Sequence, residues 1–288
     1  MDEVRLQLIG GVGNQLFSYF AGAAVAGKHG RKLVLDASRT HTSVMGHNSS
    51  ITDFDLPGEW IETTSQSSTR PSLLQRSKFA VNRQLYRVTY LHRFRRVQDY
   101  SAVIGWNPQV LSHAPKLPIR GYFQSWRYVR MAEQYGYPVR PKLKVESSSL
   151  RELVAHAQEV KPISVHIRRG DYLNVPTFGL LSESYYTQAI ALLRAKGHQG
   201  PIWIFTDSPD LAGDLVEGQL IQGLSRPTEE MVLMSSCKAH IIANSTFSWW
   251  GAWMNGNSPD VIAPSPWFKE GPEIQDLLPP EWMTIPHS

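Results

Sequence analysis

The sequence predicts an α/β protein built as two domains of similar size. Three observations carry that reading. A strand–helix–strand unit opens the chain, a second series of alternating strands and helices follows residue 160, and a Pro- and Ser-containing stretch separates the two. Alternation of this kind favours parallel sheets flanked by helices, and 288 residues suit two cores rather than one.

In chain order, Val4–Ile9 (VRLQLI) reads as a buried strand. Gly10, Gly11 and Gly13 follow at a turn, then an Ala-rich helix over Asn14–Lys28 with Gly30 as its stop. Lys32–Asp36 is the next strand. Arg39–Thr69 is polar and reads as loops with short elements, Leu73–Phe94 as helical, and Asn107–Pro118 as a turn-rich connection. Gly121–Ser125 precedes a helix reaching Tyr135. Pro138, Pro141 and Ser147–Ser149 mark a linker or a domain crossing, and the chain divides into residues 1–150 and 151–288. The second half reads as strand Ile163–Ile167, helix Ser184–Lys196, strand Ile202–Thr206, helices Asp210–Glu217 and Pro227–Cys237, and strand His240–Ala243.

Composition narrows the function. An apolar content of 42% with 19% charged residues supplies a normal core and excludes wholesale disorder. Cys237 is the only cysteine, so an intrachain disulfide or a cysteine-rich zinc site is excluded. The start, Met1-Asp2-Glu3, is unlike a signal peptide, and no apolar run approaches the ~20 residues that span a bilayer. A cytoplasmic location is expected, either in solution or peripheral at the inner membrane. The net charge of +4 points to an anionic partner. Arg70–Val97 concentrates it, with eight Lys/Arg and no Asp or Glu, and Arg70–Arg96 reads either as a membrane-contacting segment or as a solvated helix face whose apolar side packs on its own domain.

Four segments carry candidate chemistry. Gly10-Gly11-Val12-Gly13-Asn14-Gln15 sits at a strand-to-helix turn, where glycines let a ligand reach backbone N–H groups. A dinucleotide fingerprint, with Asp36 as ribose ligand, is one reading, although Leu16 stands where its third glycine belongs. Val165-His166-Ile167-Arg168-Arg169-Gly170-Asp171-Tyr172 lies at the C-terminal end of a strand. Its arginines offer planar, permanently charged forks to phosphate. Ile204–Pro209 brings Asp207 to the same sheet edge, as a ligand for guanine or a cap for the next helix. Ala243–Trp253 places Asn244, Ser245, Thr246 and Phe247 ahead of a Trp-rich helix whose tryptophans read as core. Asp53-Phe54-Asp55 has the form of a metal-binding Asp-x-Asp but falls in a turn-rich segment, so no metal site is assigned.

Taken together, GGVGNQLFSYFAG (Gly10–Gly22), GYFQSWRYV (Gly121–Val129), VHIRRGDY (Val165–Tyr172), LSESYYTQAI (Leu181–Ile190), IFTDSPD (Ile204–Asp210) and ANSTFSWWGAW (Ala243–Trp253) resemble the α-1,2-fucosyltransferases of glycosyltransferase family eleven. The resemblance implies a GT-B fold, two Rossmann-like domains with the active site in the cleft between them. It implies a GDP-β-L-fucose donor, inversion at the anomeric carbon, no cofactor and no metal. Arg168 would contact the diphosphate and His166 the nucleotide. Arg169 and Asp171 would form a supporting pair, and Asp207 would read guanine. Asn244, Ser245, Thr246 and Phe247 would line the phosphate, while Gly13, Asn14 and Gln15 face the donor from the other domain. Arg168, Asp171 and Asn14 are the expected catalytic residues. The acceptor would be a galactose-containing glycan, lipid-linked forms included. Ser125-Trp126-Arg127 stands where the family more usually has acidic or basic residues, and residues 40–120 match little. The alternatives are an NAD(P)-dependent oxidoreductase built on Gly11-Val12-Gly13 and a nucleic-acid binder; both leave residues 165–172 and 243–253 unexplained.

Overall fold

A computed structural model describes residues 2–37, 51–61, 104–112, 118–175, 177–257, 259–271 and 273–287. The basic segment Arg70–Arg96, and the helix expected over Leu73–Phe94, lie outside the described residues.

The N-terminal half is built on β1 (Glu3–Gln7), β2 (Lys32–Asp36) and β3 (Glu59–Ile61), all parallel. A bridge from Leu6 to Ile119 continues the pairing beyond β1. Helix α1 (Val12–His29) connects β1 to β2 and ends at Gly30. This glycine adopts φ 59°, and its N–H reaches the carbonyls of Ala26 and Gly27. A residue without Cβ takes that left-handed conformation at little cost. Fourteen of the eighteen α1 residues are buried. An apolar surface all round marks a helix enclosed by neighbours, here β1, β2, α2 (Trp126–Gln134) and α7 (Thr246–Trp253).

The C-terminal half holds six parallel strands: β4 (Ile163–Ile167), β5 (Ile202–Thr206), β6 (Gln219–Leu220), β7 (Ala239–Ile241), β8 (Asp260–Ser265) and β9 (Met283–Pro286). Their order is β6-β5-β4-β7-β8-β9. The order reverses between β4 and β7, and the crevice beyond strand C-termini at such a switch point is where open α/β sheets bind ligands. Side chains alternate across this sheet. Ile163, Val165 and Ile167 face a core with Tyr185 and Leu193 of α4 (Glu183–Ala195). Trp203, Phe205 and Ile242 face the larger core, which includes Met231 and Leu233 of α6 (Pro227–Ser235) and Trp249 of α7. The two parallel halves, each a sheet with helices packed on it, have the GT-B arrangement.

The larger core runs without a break from one half to the other. Phe17 of α1 lies 4.5 Å from Trp249 and 5.1 Å from Trp250, and Phe20 stacks on Trp250 at 5.1 Å. The tryptophans are core, as their spacing predicts: Trp249 and Trp250 are fully buried. A polar tie joins the halves elsewhere. Asp53 accepts from the Thr228 hydroxyl at 2.6 Å and lies 3.7 Å from Arg226, which donates to Glu229 at 2.9 Å. Glu229 also accepts from the Ser147 backbone N–H. The Asp-x-Asp carboxylate at 53 is thus engaged with the other half of the chain.

Several sequence expectations need correction. Ser147–Ser149 is no linker: Ser147 caps helix α3 (Ser148–Val160), its hydroxyl accepting from Leu150 N–H. Leu150 and Ala157 are buried in the larger core, and α3 packs on α6, so residues 148–150 go with the C-terminal half. The helix expected over Asp210–Glu217 is the short α5 (Pro209–Ala212). Strands β6, β8 and β9 were not foreseen. β8 interrupts its apolar run with Pro264, and β6 is only two residues long.

Candidate active site

Two strand ends and two helix starts converge at the switch point. Ile167 and Thr206 are register partners on β4 and β5, so the residues just beyond them, Arg168 and Asp207, emerge side by side. Arg168 Nε lies 3.1 Å from Asp207 Oδ2, and its Nη2 lies 2.7 Å from Asp171 Oδ1. The Tyr172 ring lies under the same guanidinium, 5.4 Å from its carbon.

Asp207 organises the loop. Its Oδ1 accepts from the backbone N–H groups of Arg169 at 3.0 Å and Gly170 at 3.3 Å. A side chain at position 170 would run into that carboxylate, which explains the glycine. Both carboxylate oxygens are engaged within the loop, and Oδ2, held by Arg168 alone, keeps a lone pair for a further donor. The expected Arg169–Asp171 pair is not formed: Asp171 bonds Arg168, and Arg169 donates to the Leu181 carbonyl at 2.8 Å.

The loop after β7 closes the other side. Tyr172 donates to the Asn244 carbonyl at 2.8 Å, and the Asn244 amide donates to the Phe178 carbonyl at 2.7 Å. Asn244 therefore holds the loop at 178 in place. Ser245 is the N-cap of α7, accepting from Phe247 N–H at 3.3 Å. Thr246 and Phe247 are half-buried at the helix start, where the macrodipole favours anions. His166 alternates to this face of β4. Its ring lies 5.6 Å from that of Phe247, and it is 3% exposed. Burial, reinforced by the Arg168 charge and opposed by Asp207, lowers its pKa to about 3. The imidazole is neutral, and among the described residues its Nδ1 has no hydrogen-bond partner.

The glycine-rich turn meets this site from the other half. A Cβ on Gly13 would sit 2.6 Å from the Thr246 carbonyl, so Gly13 is pressed against the backbone that opens α7. Gln15 is fully buried, donating to the Gly10 carbonyl and accepting from Ile51 N–H. Both ends of its amide are occupied inside the N-terminal half, so the expected donor contact does not follow from its position. Asn14 is half-buried, with Oδ1 accepting from Gln124 Nε2 at 2.8 Å. Sequence reasoning singled out neither Gln124 nor Tyr172, though both lie in the quoted motifs; a lone polar residue between Phe123 and a helix cap was the available signal for Gln124.

Two parallel α/β halves with a carboxylate-held arginine at the switch point have the form of a GT-B sugar-transferring enzyme. The profile of glycosyl transferase family 11 matches residues 83–286, and the chain belongs to that family. It is 26% identical over 299 residues to an alpha-1,2-colitosyltransferase of Escherichia coli, with 99% of each chain covered. It is 29% identical over 206 residues to a galactoside 2-alpha-L-fucosyltransferase of Bos taurus, SEC1, covering 62% of this chain and 55% of that one. Among solved structures, a NodZ alpha-1,6-fucosyltransferase soaked with GDP-fucose superposes with TM-score 0.45 at 16% identity, covering 88% of this chain and 92% of the other. The oxidoreductase reading finds no support. Its second glycine, Gly13, is closed off by α7, and the residue in place of the third, Leu16, is buried core.

Proposed function

We propose that the chain transfers L-fucose from GDP-β-L-fucose to a hydroxyl of a galactoside, with inversion, forming an α-1,2 linkage and using no metal. The observation that carries this reading is Arg168, held by Asp171 and Asp207 beside the start of α7. Family membership supplies the reaction class.

As the fucose–phosphate bond loosens, negative charge grows on GDP and the anomeric carbon becomes oxocarbenium-like. A preorganised guanidinium and a helix N-terminus stabilise the leaving diphosphate without reorganising during the reaction. The acceptor hydroxyl attacks from the face opposite GDP and loses its proton. His166 is neutral and buried beside Phe247, so it brings no charge of its own to the diphosphate.

Incubation with GDP-fucose and a panel of galactosides, read by mass spectrometry in excess EDTA, is expected to give a fucosylated galactoside. Activity lost to chelator and restored by magnesium or manganese would overturn the metal-free mechanism. Because the E. coli relative is named a colitosyltransferase, transfer of colitose through the same linkage is the second reading. Direct competition between fucose and colitose donors separates the two.

A further inference from the structure

We propose that the Asn14–Gln124 amide pair holds one hydroxyl of the acceptor sugar, with Asn14 Nδ2 donating to it and Gln124 Oε1 accepting a hydrogen bond from it. This assignment rests on the galactoside-transfer reading above and adds Gln124 as a positioning residue for the acceptor.

Gln124 is rigidly mounted. It is 6% exposed, its backbone N–H bonds the Ile104 carbonyl, and the next residue, Ser125, caps α2 from a fully buried position. Its amide orientation follows from its partner: Nε2 donates to Asn14 Oδ1 at 2.8 Å, which turns Oε1 away. Among the described residues Oε1 is buried without a hydrogen-bond partner. Folded proteins rarely keep such an atom unpaired, and one that persists calls for an explanation. Asn14 Oδ1 is taken by the same bond, and no described protein group accepts from its Nδ2. The pair therefore offers one donor and one acceptor close together, the complement of a single hydroxyl, which both accepts and donates.

Placement supports an acceptor rather than a donor ligand. Asn14 lies in the first turn of α1, one residue after Gly13, which backs onto Thr246 and Phe247. Phe247 in turn packs on His166. The amide pair thus sits across the α1–α7 contact from the Arg168 loop, on the half that carries none of the arginine site. Tyr122, 37% exposed, lies against Gly10 beside it and adds an aromatic edge of the kind that packs on sugar faces. A primary amide takes no proton at neutral pH, so the pair orients the hydroxyl and does not deprotonate it.

The test uses the full chain, GDP-fucose and methyl β-D-galactopyranoside. Gln124→Met keeps length and burial but removes the accepting oxygen. It is expected to raise the acceptor KM about tenfold or more. GDP affinity by calorimetry, and hydrolysis of GDP-fucose without acceptor, should stay within about twofold of wild type. Gln124→Leu, which lacks both polar atoms at similar size, should show the same split if Gln124→Met fails to fold. An unchanged acceptor KM in a folded variant, or a parallel fall in GDP affinity, overturns the proposal. A wild type that binds GDP but fucosylates no galactoside overturns the galactoside reading and this site with it. A wild type that transfers normally beside an unaffected variant overturns this site alone.

Discussion

Arg168 illustrates how a single residue was legible by type while its partners were not. Two arginines after an apolar strand read as a candidate anion site, because a guanidinium offers phosphate a planar, permanently charged fork. Which carboxylate holds which arginine was decided by strand register. The β4–β5 pairing sets Asp207 next to Arg168 and under the N–H groups of Arg169 and Gly170, across 38 positions of sequence. Asp207 and Asp171 hold the guanidinium plane at two edges, a geometry that an ammonium cannot reproduce. Arg168→Lys is therefore expected to keep the fold and lose about 10- to 100-fold in turnover, with donor affinity falling in step. Steady-state kinetics beside GDP calorimetry checks it; near-normal turnover would remove Arg168 from the role of phosphate ligand.

At the scale of elements, the informative contact is between the starts of α1 and α7. A glycine-rich turn after β1 reads naturally as a phosphate-binding loop, and the strand–helix–strand unit around it is present as expected. Sequence could not show that another helix start would be packed onto Gly13. The missing side chain lets α1 and α7 approach until a Cβ would lie 2.6 Å from the Thr246 carbonyl and 2.8 Å from Phe247 N. Both neighbours are backbone atoms and cannot swing aside. Gly13→Ala should push the helices apart and disturb the Phe17–Trp249–Trp250 packing behind them. Overpacking of this kind costs about 1–3 kcal/mol. Chemical denaturation is expected to show that loss, accompanied by weaker GDP binding because Phe247 and Thr246 move with α7. An alanine variant as stable as wild type would mean that the halves are not set by this contact.

For the whole molecule, two buried histidines couple stability to pH. His240 is fully buried on the inner face of β7. Its Nε2 lies 3.0 Å from Asn255 Nδ2, which can only donate, so the ring proton sits on Nδ1 and is given to Ser164 Oγ at 2.7 Å. Burial lowers the pKa of His240 to about 3, and that of His166 falls to about 3 as well. An unfolded histidine titrates near 6.5. Below that value the unfolded chain takes up protons that the folded chain refuses, so the stabilisation present above pH 6.5 is lost as pH falls toward 3. Each histidine contributes a slope of up to about 1.4 kcal/mol per pH unit in that window. Urea midpoints measured at pH 7.5 and pH 5 should fall with acidity. His240→Gln should remove about half of the histidine share of that fall; an unchanged slope would show that His240 is not held neutral.

The features readable from residue order alone are local and chemical. They are the α/β class, the bounds of β2, β4 and β5, the stop of α1 at Gly30, the residues that carry charge to the sheet edge, and the motifs that resemble the family. These are legible because period, cap and side-chain chemistry act over a few neighbouring residues. The tertiary structure alone decided the order β6-β5-β4-β7-β8-β9 and hence the switch point. It also decided the pairing of Asp171 with Arg168, the closure of Gly13 against Thr246, and the meeting of Asn14 with Gln124. Each of these joins groups far apart in the chain, and such contacts form only when the burial of a common core brings their elements together. Sequence spacing carries no record of that distance.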